Sequence, residues 1–281
     1  MAELRLAKLL AERGVASRRE AEALIEEGHI TVNGAIVYAP GTKVDPESDT
    51  VRVEGRALPP APKKVYYLLY KPRGTITSRK DPEGRKGVLE LVGDIEVRVE
   101  PVGRLDINTE GALLLTNDGE LAHKLTHPSG LIPKRYLVKV WKAPSEKTLE
   151  RLRNGVHLED GRTSPCKVRI LELTKSGNAW LEVTVTEGRN RLVRRMLQFV
   201  GHPVSKLRRE SFATISVRGM ERGDVRALTG EELGRLRDLA EGRRPEKAGK
   251  RAKGKGHAIA KPKARRGRKK KPLDRSRRRL K

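Results

Sequence analysis

The sequence predicts an α+β fold: a mixed sheet flanked by helices, preceded by a small helix-helix-hairpin unit and followed by a disordered basic tail. Three observations carry this expectation. In the middle of the chain strand-like stretches outnumber helix-like ones and rarely alternate with them one for one, which favours a mixed sheet over a doubly wound parallel one. The first 55 residues hold two short helical patterns and a hairpin signal, enough for a unit of their own. The last 37 residues are rich in lysine, arginine, glycine and proline, with too few large apolar side chains to bury a core.

Residues 3–13 place Leu4, Leu6, Leu9 and Leu10 among charges, an amphipathic helix that stops near Gly14. A second helix opens on the capping-box sequence Ser17-Arg18-Arg19-Glu20, buries Ala21, Leu24 and Ile25, and stops at Gly28. Ile30 and Val32, then Asn33-Gly34 and Ile36, read as a hairpin, because the two-residue turn needs positive φ values that Asn-Gly tolerates. A strand at 50–53 closes the unit. Residues 55–64 carry three prolines and no periodicity, the composition of a linker. Beyond it, strands are expected at 65–70, 99–102, 113–115, 136–141, 167–173 and 180–186. Helices are expected at 120–125, 146–153, 190–200 and 231–239, the last behind a second capping box from Thr229 to Glu232. The expected division is thus 1–55, a linker at 56–64, a larger domain at 65–243 and a tail at 244–281.

The charge is unevenly spread. The chain of 281 residues has 62 Lys+Arg against 36 Asp+Glu, a net +26, of which residues 245–281 supply +16 and the rest +10. Such an excess points to nucleic acid. One cysteine, Cys166, excludes an intramolecular disulfide and any multi-cysteine zinc site, in keeping with a reducing cytoplasm. No apolar run approaches membrane-spanning length, so a soluble, cytoplasmic protein with no membrane partner is expected. There is no GxxxxGK[ST] loop, no GxGxxG after a strand and no GxSxG elbow, which removes support for nucleotide hydrolysis, dinucleotide binding and hydrolase-type acyl transfer. His123 and His127 are four apart, but no glutamate follows the first and Pro128 stops the helix beside the second; a structural or exposed pair is expected and no metal.

Two stretches remain that could carry chemistry. The first runs Gly103-Arg104-Leu105-Asp106-Ile107-Asn108-Thr109-Glu110-Gly111 and continues into Leu113-Leu114-Leu115-Thr116-Asn117-Asp118-Gly119. By spacing alone Asp106 is most simply a turn-former. The second is Glu187-Gly188-Arg189-Asn190-Arg191-Leu192-Val193-Arg194-Arg195-Met196. On a helix, Leu192, Val193 and Met196 face a core while Arg191, Arg194 and Arg195 face away. Four arginines at a helix start repel one another and the helix dipole, so either RNA phosphate or a buried carboxylate must compensate.

Residues 5–34 resemble the small RNA-binding domain named after ribosomal protein S4. These two stretches, with Lys134-Arg135-Tyr136-Leu137-Val138 between them, resemble the bacterial rRNA pseudouridine synthases, the group containing the small-subunit enzyme A and the large-subunit enzymes B, E and F. Together the likenesses span roughly residues 4–240. They imply a pseudouridine synthase fold with an extended, mainly antiparallel sheet. They also imply cofactor-independent, metal-independent isomerisation of uridine to pseudouridine, with ribosomal RNA or a pre-ribosomal particle as partner and the chain acting as a monomer. Residues 155–161 and the basic tail lie nearer the large-subunit members, making large-subunit rRNA the expected substrate and small-subunit rRNA the alternative. A non-catalytic ribosome-assembly protein would not need the set below, and a methyltransferase would need a glycine-rich cofactor loop, which is missing.

Carried over by position, Asp106 corresponds to the essential aspartate, as nucleophile at the anomeric carbon or as base for a sugar proton, both routes remaining open. Arg194 corresponds to its arginine partner, whose charge favours an ionised carboxylate. Tyr136 corresponds to the tyrosine that stacks on the target base and helps remove the ring proton late in the reaction. Arg104 would touch the RNA backbone or fill the space left by the flipped base, and Arg189 and Arg191 would contact RNA. Arg13, Arg18 and Arg19 are expected on phosphates, since cations at a helix start are better tolerated with an anion nearby. Leu192 departs from the polar residue usual at its position, which bears on hydrogen bonding near the RNA.

Overall fold

The computed structural model describes residues 3–78, 81, 83–93 and 95–243. The basic segment 244–281, expected to be disordered, lies outside the described residues.

The chain opens with β1 (Leu4–Arg5), α1 (Leu6–Glu12) and α2 (Arg18–Glu26), followed by β2 (Ile30–Val32), β3 (Ala35–Ile36), β4 (Lys43–Val44), β5 (Val51–Val53) and β6 (Arg56–Ala57). The capping box at Ser17 is formed: the Ser17 amide donates to Glu20 Oε2 at 2.9 Å and the Glu20 amide to Ser17 Oγ at 3.2 Å. Asn33 and Gly34 take φ of 50° and 87°, as the tight turn requires. Two expectations are corrected. The first helix starts at Leu6, because Leu4 and Arg5 pair with Val44 and Lys43 as a short strand. Arg56 and Ala57 pair with Val53 and Arg52, so sheet pairing continues two residues into the expected linker. Leu6, Leu10, Ile25 and Ile30 form the centre of this unit's core.

The larger body holds β7 (Tyr66–Lys71), β8 (Glu100–Pro101), β9 (Glu110–Thr116), α3 (Gly119–Thr126), β10 (Lys134–Val140) and α4 (Glu146–Arg153). There follow β11 (His157–Leu158), β12 (Gly161–Arg162), β13 (Lys167–Leu173), β14 (Ala179–Val185), α5 (Leu192–Phe199), β15 (Val204–Phe212), β16 (Ile215–Ser216), β17 (Val225–Ala227) and α6 (Gly230–Ala240). One sheet runs β13-β14-β10-β15-β9-β7-β17, with β8 beside β9 and β16 beside β15. All its pairings are antiparallel except β15 with β9. The mixed, mainly antiparallel sheet is therefore present.

The strand expected at 99–102 contracts to two residues, and Pro101 has no N–H to donate to a ladder. Helix 190–200 contracts to Leu192–Phe199, because Arg191 turns left-handed at its start. The central strand β15 has no counterpart among the expected strands. Its sequence, Val-Ser-Lys-Leu-Arg-Arg-Glu-Ser-Phe, has no apolar alternation, since Arg209 occupies an inward position and is 3% exposed.

The sheet is packed as two halves. α4 and α5 cover β13, β14, β10 and β15 through Val138, Leu149, Leu181, Val193 and Met196. α3 and α6 cover one face of β7 and β9 through Leu68, Leu114, Leu125 and Leu236, while Leu69, Leu105, Leu113 and Leu115 pack on the other. The halves meet where β15 runs parallel to β9, Arg209 opposite Gly111. Gly111 has φ +121°, and a Cβ there would lie 2.7 Å from the Arg209 amide nitrogen and closer still to its carbonyl oxygen. We expect Gly111→Ala to destabilise the chain by about 3 kcal/mol or more, read as a lowered urea midpoint; a midpoint equal to the parent's would contradict this close approach.

Candidate active site

The turn carrying Asp106 leads from Gly103 into β9, and its backbone is fastened residue by residue. Thr77 Oγ1 donates to the Leu105 carbonyl at 2.9 Å and accepts from the Leu105 amide at 3.3 Å. The Thr109 amide donates to the Asp106 carbonyl at 2.9 Å, and the Gly74 amide to the Ile107 carbonyl at 2.8 Å. Beneath the turn lies Lys71, the last residue of β7, wholly buried. Its ammonium donates to the carbonyls of Pro72 at 3.0 Å, Asp106 at 3.2 Å and Thr109 at 3.0 Å. Burial pushes Lys71 down to about 8, against the opposing pull of Asp106. Sequence periodicity gives no sign of this lysine, because a charge at a strand end ordinarily reaches solvent.

The Asp106 carboxylate is partly exposed, with Oδ2 3.9 Å from Arg194 Nε and 3.9 Å from Arg191 Nη1. Both are ion pairs at the limit of contact, longer than hydrogen bonds. Arg194 Nη2 donates to the Asn108 carbonyl at 3.2 Å and reaches Thr109 Oγ1 at 3.5 Å, so the turn's own backbone orients the guanidinium. Its Nε is buried with no hydrogen-bond partner. Burial lowers the Arg194 pKa first, Arg191 lowers it further, Asp106 raises it and Arg73 lowers it again. Arg191 takes φ 48° at the cap of α5, a left-handed conformation that costs a non-glycine residue about 1–2 kcal/mol.

The arginine cluster is compensated by acids. Arg194 and Arg191 share Asp106. Arg195 is bonded to both oxygens of Asp160, one at 3.0 Å, and holds that carboxyl at about 2. Arg189, expected on RNA, turns inward: its Nε lies 2.9 Å from Glu187 and its Nη1 donates to the Gly161 carbonyl at 2.9 Å. It braces the β11–β12 loop against the start of α5. Leu192 is buried with α4 and α5, so its apolar character serves the core.

Tyr136 sits on β10 between Val183 of β14 and Arg209 of β15. Half-buried, it packs against both the α4–α5 cluster and the cluster containing Leu105, which puts it on the sheet face that α5 covers. Arg104 is exposed beside the turn. Arg18 and Arg19 are exposed at the start of α2, and Arg13 Nη1 donates to the Pro59 carbonyl at 3.1 Å. These three line a cleft of about 1100 Å³ whose walls also include Val102 and Gly103. The cleft stops short of Asp106 but reaches the foot of its turn.

His123 and His127 lie with ring centroids 5.3 Å apart and planes tilted by 41°, and among the described residues no three His, Cys, Asp or Glu side chains gather as a metal site. Burial pushes the Cys166 thiol up to about 11, as for a packing residue. No described helix is long and apolar enough to cross a membrane.

Comparison with known proteins is consistent across three kinds of match. The RNA pseudouridylate synthase family matches residues 65–199, and the S4 domain matches 4–51. Ribosomal large subunit pseudouridine synthase B of Bacillus subtilis (strain 168) is 48% identical over 238 residues, 84% of this chain and 97% of the relative. An uncharacterized RNA pseudouridine synthase of Aquifex aeolicus (strain VF5) is 46% identical over 237 residues, 84% and 94% of the two chains. A crystal structure of a pseudouridylate synthase aligns with a TM-score of 0.60 at 30% identity, covering 83% of this chain and 99% of the other.

The buried lysines make a pH prediction. Lys71 and Lys134, the latter donating to the Thr186 carbonyl at 2.7 Å, both titrate at about 8 when folded because burial disfavours their charge. Unfolded, they titrate at about 10.4. Between those values the unfolded chain holds more protons, so each lysine makes stability rise with pH across that window. Urea unfolding at about pH 7.5 and about pH 9.5 should show the rise, and Lys134→Met should shrink it. An identical pH slope in that variant would contradict the assignment.

Proposed function

Since this chain belongs to the pseudouridine synthase family, we propose that it isomerises uridine in ribosomal RNA, that of the large subunit, with Asp106 as the catalytic carboxylate. The observation that carries the reading is the fastened turn presenting Asp106 to Arg194 and Arg191, in a chain 48% identical to a large-subunit enzyme over nearly that relative's whole length.

The reaction breaks the N1–C1′ bond of uridine, turns the uracil, joins C5 to C1′, moves the C5 proton to a base and returns a proton to N1. An ionised carboxylate is needed at the start, to attack C1′ or to remove a sugar proton. Arg194 and Arg191 supply positive charge beside Asp106 without closing a hydrogen bond on Oδ2, which leaves that oxygen's lone pairs available. Tyr136 stacks on the uracil and its phenol oxygen assists loss of the C5 proton. Arg104, exposed next to the turn, meets the RNA backbone or the gap left by the uridine.

A stacked uridine must leave its helix to reach Asp106, at a cost of a few kcal/mol. Contacts from Arg13, Arg18 and Arg19 in the cleft offset that cost, as does stacking on Tyr136, about 1–3 kcal/mol. The cytoplasm, where rRNA is made and assembled in bacteria, is the proposed compartment.

Purified protein should release tritium from ring-labelled uridine in rRNA without added cofactor. Asp106→Asn should reduce release below detection while RNA affinity stays within about twofold; full turnover by that variant would remove Asp106 from its role. Arg194→Gln should lower kcat by about 100-fold or more, and an unaltered kcat would exclude Arg194 as the partner. Pseudouridine maps of rRNA from cells with and without the protein decide the subunit: loss confined to small-subunit rRNA would favour the alternative substrate.

A further inference from the structure

The two faces of the β13-β14-β10-β15 half-sheet differ. α4 and α5 cover the face of Tyr136 and Val138, whereas among the described residues no helix core packs on the face of Leu137 and Lys139. Two cross-strand rows stand on that open face. One is Lys206, Lys139, Trp180 and Glu172; the other is Arg208, Leu137, Glu182 and Arg169.

Lys139 and Lys206 lie directly opposite each other, an arrangement that destabilises a sheet unless an anion sits nearby. One acid of that row, Glu172, stands beyond Trp180 and leaves the lysine pair with a surplus of positive charge; the other acids nearby are engaged elsewhere. Glu182 takes Arg169 at 2.9 Å and Arg135 at 3.8 Å, Glu210 takes Arg208 at 3.0 Å, and Glu110 takes Arg222 at 2.8 Å. Beside the lysines, Trp180 is half-buried and Leu171 is 44% exposed. Together they wall a depression of about 680 Å³ whose rim includes Arg73. The next residue, Gly74, donates its amide to the Ile107 carbonyl at 2.8 Å, so the depression begins beside the catalytic turn.

We propose that this face is a second RNA-contact surface, taking an unpaired stretch that flanks the target uridine. Trp180 stacks on a base, Lys139 and Lys206 hold the adjoining phosphates, and Arg73 marks the passage from the Asp106 turn over the strand ends. Surplus positive charge beside an accessible aromatic ring matches single-stranded nucleic acid, where stacking and phosphate contact act together. The inference rests on the proposed site for its starting point, but binding needs no turnover and is tested separately.

The sequence holds two tryptophans, so in full-length Trp141→Phe protein Trp180 alone reports. Its fluorescence should be quenched by an oligouridylate of about 12 nucleotides, within the site sizes of single-strand binders. Lys139→Gln/Lys206→Gln should weaken binding to that oligomer and to transcribed large-subunit rRNA at least fivefold. It should also flatten the salt slope by about 1.4, at about 0.7 per lost phosphate contact, and leave tritium release at saturating RNA unchanged. Trp180→Ala should weaken binding by a similar factor. No quenching, with unchanged affinity and slope, overturns the proposal. So does weakened binding to a ribosomal particle with naked RNA unaffected, which would assign the face to a ribosomal protein. Asp106→Asn should show the same quenching; quenching together with full turnover in that variant would overturn the catalytic reading and leave this surface standing.

Discussion

The parallel contact between β9 and β15 at Gly111 holds the rest of the body together. It is the one parallel pairing in the sheet, and it joins two half-sheets with separate cores. A side chain at position 111 has no room, and the neighbouring Arg209 is buried with its Nε donating to the Ala112 carbonyl at 2.7 Å. The turn bearing Asp106 enters β9 immediately before this seam. The requirement for glycine and the placement of the carboxylate therefore have one cause, the close approach of two strands that arrive from different halves of the molecule.

Charge is managed in two ways around this seam. Where cations are buried, carbonyl oxygens receive them: Lys71 takes three and Lys134 takes those of Ile132 and Thr186. Backbone dipoles satisfy an ammonium without adding a carboxylate that would compete with Asp106. Where the arginines crowd the start of α5, carboxylates receive them, Asp160 taking Arg195, Glu187 taking Arg189, and Asp106 taking Arg191 and Arg194. Asp106 differs from the others in its spacing. Asp160 is closed by direct hydrogen bonds, whereas Asp106 feels two positive charges at 3.9 Å and keeps its oxygens accessible.

Much of this was legible in the sequence, and what escaped did so for physical reasons. Local signals were reliable: the capping boxes at Ser17 and Thr229 and the Asn33-Gly34 turn depend on residues within a few positions of one another. The fold class followed from the ratio of strand to helix patterns. β15 escaped because a buried arginine breaks its alternation, and β1 because its partner Lys43–Val44 lies some 40 residues away. At the site, motif likeness pointed to Asp106, Tyr136 and Arg194, and α5 does bring Arg194 to the Asp106 turn. Nothing local could disclose Lys71, whose role exists only once β7 passes beneath that turn. Nor could charge counting separate Arg189, which is turned into the protein, from Arg191, which stays exposed; the difference lies in the position of Glu187 and the β11–β12 loop.

The two members of the Asp106–Arg194 pair are carried by different cores. Leu105 anchors the aspartate to the β7–β9 side, while Val193 and Met196 anchor the arginine to the β10–β13–β14 side, and Tyr136 touches both. Their separation thus works as a gauge of how the two half-sheets are set against each other. Repacking in either core, even at residues far from the turn, therefore changes the distance between this carboxylate and its guanidinium, since a small rotation about the seam is transmitted to both.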